Sequence, residues 1–173
     1  MSFGIYDAAV PIFLNGLSDM PAWLDKALAE GKSESELMAA RLAPDMLPLT
    51  AQFQIASDAA KGAVARLAGI EAPSMPDTEA SFDALKARCE ATIAFIRSVP
   101  AQAFSGAESR EITLTFRGGV GYRLSGAAFL TGFALPNFLF HTATAYAILR
   151  HQGVGVGKAD YLMHMGPPIQ IEA

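Results

Sequence analysis

The chain has 173 residues, of which 51% are hydrophobic and 17% charged, and its 13 Lys and Arg against 17 Asp and Glu give a net charge of -4. That composition supplies one packed core in one domain, the C-terminal stretch 153–173 packing back on it, and excludes an extended disordered chain. No basic run interleaved with aromatics occurs, so a nucleic-acid partner, which demands many phosphate-neutralising cations, is excluded too.

The single cysteine, Cys89, excludes an internal disulfide and a cysteine-built zinc site. An acid, Asp7, arrives at once and no basic segment precedes an apolar run, so the chain is expected in the cytoplasm without a secretory signal. Between Ala127 and Leu149 there is no charged residue, a length that spans a bilayer. Pro136, Asn137, His141, Thr142 and Thr144 interrupt it, however, and a central bundle helix buried on nearly all sides gives the same pattern without a membrane.

Taken in chain order, Phe3, Tyr6, Val10, Phe13, Leu17, Met20 and Leu24 alternate by three and four, the seam of a first helix from about Ile5 to Glu30. Pro11 is expected to kink it or mark its first turn, and Gly31 to end it. Ser33-Glu34-Ser35-Glu36 forms a capping box for a short helix through Arg41. A second long helix is expected from about Asp45 to Ala68, its inner face carrying Leu49, Phe53, Ala56, Ala60, Val64 and Leu67 and its end marked by Gly69.

The proline-containing stretch from Ile70 to Pro76 reads as a surface linker. Asp77 or Thr78 is expected to cap a third helix to about Ser98, with Phe82, Leu85, Cys89, Ile93 and Ile96 inward, so that Cys89 is a small core hydrophobe. Glu111 to Phe116 is enriched in β-branched residues, Arg117 to Gly121 turns, and Tyr122-Arg123-Leu124 returns as a hairpin that must lie against the helices to persist. The fourth helix is expected from about Ser125 to Gln152, kinked at Pro136 and stopped by Gly153, Gly155 and Gly157. The fold class is therefore all-α, an antiparallel four-helix bundle with a small β-hairpin between helices 3 and 4.

Gly153-Val154-Gly155-Val156-Gly157-Lys158 only superficially resembles a phosphate-binding loop. Gln152 and Ala159 stand where such a loop needs Gly and Ser or Thr, and the glycines follow a helix rather than lead into one. No Gly-x-Ser-x-Gly elbow is present. Of the 3 histidines, His151 suits the negative end of a helix dipole, and His164 lies in the Met- and Pro-rich tail. His141 sits mid-helix in the apolar stretch, with Asn137 one turn before it on the same face. On the second helix Asp45 and Gln52 interrupt the apolar side comparably. If these helices face each other, Asp45, Gln52, Asn137 and His141 form an inward polar cluster that binds a metal or small polar ligand, or simply satisfies its own buried hydrogen bonds.

The run Pro136-Asn137-Phe138-Leu139-Phe140-His141, with Thr144-Ala145-Tyr146 and Ile148-Leu149-Arg150, resembles the signature of a bacterial family of unknown function grouped with the DinB-like four-helix bundles. Arg41 to Met46, Ala65-Arg66-Leu67, Gly157 to Tyr161, Ala9-Val10-Pro11 and Leu24 to Ala27 fit the same resemblance, which covers essentially the whole chain. The resemblance implies the bundle and little about activity. In the wider DinB-like group it implies a divalent metal on three histidines, one from the second helix and two spaced four apart on the fourth. Aligned on Leu149-Arg150, His141 takes the place of the second of that pair and Asn137 of the first, with Asp45 or Gln52 the stand-ins on the second helix. Amides are poor ligands for zinc or nickel, so the metal site is degenerate and no cofactor is expected, a divalent zinc or nickel ion on His141 being the alternative.

Three functions follow as expectations. The first is a non-catalytic intracellular protein, ligand-binding or stress-related, taking a small polar ligand. The second is a metal-dependent transferase or hydrolase for a small polar or thiol substrate, with His141 as ligand and Asp45 as second ligand or base. The third is a structural homodimer.

Overall fold

The computed structural model describes residues 3–116 and 118–171; Arg117, within the expected hairpin turn, lies outside them. Four long helices form the expected bundle, though not with every neighbour antiparallel: α1 (Ile5–Ala29), α3 (Leu49–Ala68) and α4 (Phe82–Ser98), with the short α2 (Glu34–Ala39) between the first two, and a fourth assembled from segments. Before it comes the expected hairpin, β1 (Glu111–Thr115) paired antiparallel with β2 (Gly121–Ser125) so that Thr113 faces Arg123. The fourth helix starts as α5 (Gly126–Phe129), passes through a π turn at Leu130–Ala134 and continues as α6 (Leu135–His151). The tail holds α7 (Lys158–Tyr161) and a 3-10 turn at Met163–Met165. Among the described residues no helix is long and apolar enough to cross a membrane.

Contacts fix the helix directions. Asp25, near the end of α1, pairs with Lys86 near the start of α4 at 2.8 Å, so these two run oppositely. Gln52, near the start of α3, meets His141 in α6, while Asn137 borders Ala59 and Ala63 farther along α3, so this pair is antiparallel as well. The stretch 70–81 travels back along α3, placing Glu79 2.8 Å from Gln54, and α4 therefore starts beside the start of α3 and runs the same way.

Arg88 clasps this return. Its buried guanidinium bonds Asp58 at 2.9 Å, Asp77 at 3.0 Å and Glu79 at 2.9 Å. Burial alone raises the Glu79 carboxyl, but hydrogen bonds from Gln54 and Arg88 outweigh it and keep the group below its usual range. Arg88 Nε is, among the described residues, the buried side-chain polar atom left without a partner.

Several boundaries differ from the expectations, for identifiable reasons. The second long helix begins at Leu49 rather than Asp45, because Pro48 holds the chain extended at its N-cap and disfavours helix in the residue before it. The third begins at Phe82, where Ser81 Oγ accepts from Ala84 N at 3.1 Å, and Asp77 serves Arg88 instead of a cap. The short second helix stops at Ala39, short of Arg41. Pro11 lies inside α1 without ending it, as does Pro21, since packing of the apolar seam outweighs the lost hydrogen bonds. Before Pro136, which lacks an N–H for the carbonyl four residues back, the backbone takes the π turn.

One cluster of buried apolar residues runs through all four long helices, with Phe13, Trp23, Phe53, Phe82, Phe129 and Phe138 the largest fully buried side chains. The hairpin joins it through Ile112 and Leu114. Cys89 is fully buried within it and its thiol is pushed up to about 12, chiefly by desolvation, which makes it an inert core residue. Replacing Arg88 by Ala strands Glu79 and loosens the return. The expected cost is about 3 kcal/mol, the low end for breaking a buried pair because Asp58 and Asp77 are partly exposed. A lowered denaturation midpoint at unchanged slope measures it.

Candidate functional site

Two of the four sequence-derived candidates meet. His141 Nδ1 lies 2.8 Å from Gln52 Oε1, joining α6 to α3 inside the bundle. Gln52 Nε2 donates to Leu47 O at 2.9 Å, which orients the amide and leaves Oε1 as the acceptor. The imidazole therefore donates from Nδ1 in its neutral form, with Nε2 unprotonated. His141 is 8% exposed, and desolvation holds it below the usual histidine range.

The other two stand apart. Asp45 is exposed in the turn before α3, because the helix starts after Pro48. Asn137 is half-buried and borders a different cavity of about 220 Å³ between α3, the hairpin and α6, beside Asp58 and Arg66.

A divalent ion on these residues needs imidazole, thiolate or carboxylate donors converging on one point. Here one imidazole is bonded to a neutral amide, and among the described residues no group of three or more His, Cys, Asp or Glu is gathered suitably. The donor set does not fit zinc or nickel.

A second polar constellation is built elsewhere. Ile12, Asn15, Gly16, Asp19 and Trp23 recur at helical spacing along one side of α1, next to the apolar seam. That side faces α6 and the tail around a partly enclosed cavity of about 150 Å³. Its walls are mainly apolar, from Ile12, Trp23, Phe138, Leu139 and Leu162, with Asn15, Thr142, Tyr161 and His164 supplying polar atoms. Gly16 is needed for the close approach, since a Cβ there meets the Phe138 ring at 2.8 Å. Asp19, 2% exposed, lies behind the cavity with its Oδ2 at 2.6 Å from His164 Nδ1. Thr142 Oγ1 donates to Leu139 O at 3.1 Å and sits 3.1 Å from the Tyr161 hydroxyl.

The tail is clamped where it closes this cavity. Trp23 Nε1 donates to Asp160 O at 3.0 Å and its ring stacks on Tyr161 at 5.6 Å. The Asp160 carboxylate accepts from Gly157 N at 2.6 Å and from Lys26 Nζ at 3.0 Å. The Gly157 N–H in the first place, then Lys26, keeps that carboxyl below its usual range against the opposing effect of burial. The glycine run meanwhile gives the Gly155 N–H to Glu30, an acid, in agreement with its being a helix stop and not a phosphate loop.

Asp19, Thr142, Tyr161 and His164 were not legible as one site. The available signal was an acid and an amide inside the periodic stripe of α1 that ends on Trp23; nothing in the sequence brings a tail histidine to that stripe.

For the His141–Gln52 pair, Gln52→Leu leaves a buried imidazole donor unsatisfied and is expected to cost about 1–3 kcal/mol. The double change with His141→Leu is expected to recover part of that loss in a double-mutant cycle of unfolding free energies. The pH dependence has a defined sign. Because the folded state resists protonating His141 while the unfolded chain does not, stability falls as pH drops below about 6.5. That component is expected to vanish from the stability–pH curve of His141→Leu.

Comparison with known proteins adds the lineage. Residues 5–162 match the family model described as "Domain of unknown function (DUF1993)". The crystal structure of a DinB family member protein from Shewanella denitrificans is similar at 35% identity and a TM-score of 0.84, over 98% of this chain and 95% of that one. No curated protein matches. The chain belongs to the DUF1993 family of unknown function, on a DinB-like helical bundle.

Proposed function

We propose that this protein binds a small organic molecule without a metal, and that the molecule lies in the cavity between α1, α6 and the tail. The observation that supports this is the combination in that cavity of apolar walls with polar atoms from only four side chains. A volume of about 150 Å³ is enough for a molecule the size of benzene, which sets the scale of the ligand. In this reading His141 and Gln52 are not ligands to anything. They satisfy each other and keep α6 in register with α3.

The only tryptophan of the chain, Trp23, borders the cavity and reports its occupancy. Titration with toluene is expected to change Trp23 emission saturably and to raise the melting temperature in step with ligand concentration. Toluene that changes neither overturns the reading. So does zinc or nickel bound at one equivalent by the tag-free protein and lost in His141→Ala, a result that restores the metal-enzyme alternative.

A further inference from the structure

We infer that His164, oriented by Asp19, recognises a hydroxyl group, so that the ligand class of the cavity is a small phenol or alcohol of about six to eight heavy atoms, the size range of benzene. This rests on the cavity reading above and adds the chemistry of its polar end.

The donors and acceptors there can be counted. Asp19 is nearly fully buried, and its carboxylate accepts from His164 Nδ1 at 2.6 Å. When the ring is neutral with Nδ1 as donor, its lone pair is on Nε2, and the ring borders the cavity. The Thr142 hydroxyl uses its hydrogen on Leu139 O and is left to accept from Tyr161, so the Tyr161 hydrogen is used as well. Trp23 Nε1 is taken by Asp160 O. What remains for a ligand is a set of acceptors, with Asn15 the one lining side chain that still offers a donor.

A ligand that matches this end must bring a hydrogen-bond donor. Its oxygen can in turn accept from Asn15, which suits a hydroxyl. A carboxylate is mismatched, because its lone pairs face the Nε2 lone pair, no Lys or Arg lines the cavity, and the Asp19 charge stands directly behind. The aromatic side chains of Trp23, Tyr161 and Phe138 in the cavity walls suit a flat aromatic molecule. Asp19 is a positioning residue here: it sets the tautomer and direction of the imidazole and does not touch the ligand.

The test compares phenol, toluene and benzoate, flat aromatic probes differing in the polar group, by Trp23 emission and calorimetry. In wild-type protein phenol is expected to bind at least as tightly as toluene despite its stronger hydration, with benzoate weakest. In His164→Phe the phenol-to-toluene affinity ratio is expected to fall about three- to tenfold, the worth of one hydrogen bond, while toluene binding persists. Independently of any variant, the His164 Nε2 nitrogen resonance is expected to shift with phenol and not with toluene.

A ratio unchanged in His164→Phe, an Nε2 resonance indifferent to phenol, or benzoate binding best overturns the hydroxyl assignment while leaving the cavity reading intact. If none of the three probes binds, the cavity reading fails and the assignment fails with it.

Discussion

The helix that carries the signature motif has no charged side chain from Gly126 to Leu149, yet it must lie against three neighbours at once. A buried polar side chain on such a helix has no water to turn to, and each one left unpaired costs as much as a hydrogen bond is worth. This constraint organises the molecule. His141 finds Gln52 on α3, Thr144 returns to the carbonyl of Phe140, and Thr142 meets Tyr161 from the tail. The first contact locks the core and the last draws the tail across α1.

Drawing the tail in creates the cavity. Trp23 and Lys26 grip Asp160, Glu30 grips Gly155, and Asp19 grips His164, three α1 residues and its C-cap, each about one turn from the next. The tail thus forms the third wall of a space that α1 and α6, held close at Gly16, leave partly open. The two histidines have opposite fates. His141 is held below the usual histidine range and spent on an amide inside the bundle, whereas His164 is backed by a carboxylate and its ring borders the cavity. Chemistry on the DinB-like scaffold has in this reading moved from the facing helices to the seam between the bundle and its tail, a reminder that function belongs to sites and not to folds.

The helical framework was legible because hydrophobic periodicity is a local signal. The seam of α1, the stripe of α3 and the hairpin around its glycine-marked turn could all be read in place. Two helix starts were not, since Pro48 delayed the second long helix past Asp45 and Ser81 caps the third in place of Asp77 or Thr78. Of the candidate site, the meeting of His141 with Gln52 followed from facing helices, while Asp45 was lost with the shortened helix and Asn137 turned toward another cavity. The Asp19–His164 pair spans 145 positions and depends on where a tail without periodicity lands, which no local pattern encodes.

The most direct test is the position of a bound molecule. Crystals soaked in 4-bromophenol locate it through the anomalous signal of bromine, independently of any affinity. The expected result is a bromine peak among Ile12, Phe138, Leu139 and Leu162, with the hydroxyl toward His164. A bromophenol seated against His141, or bound elsewhere with this cavity left as it is, contradicts the account.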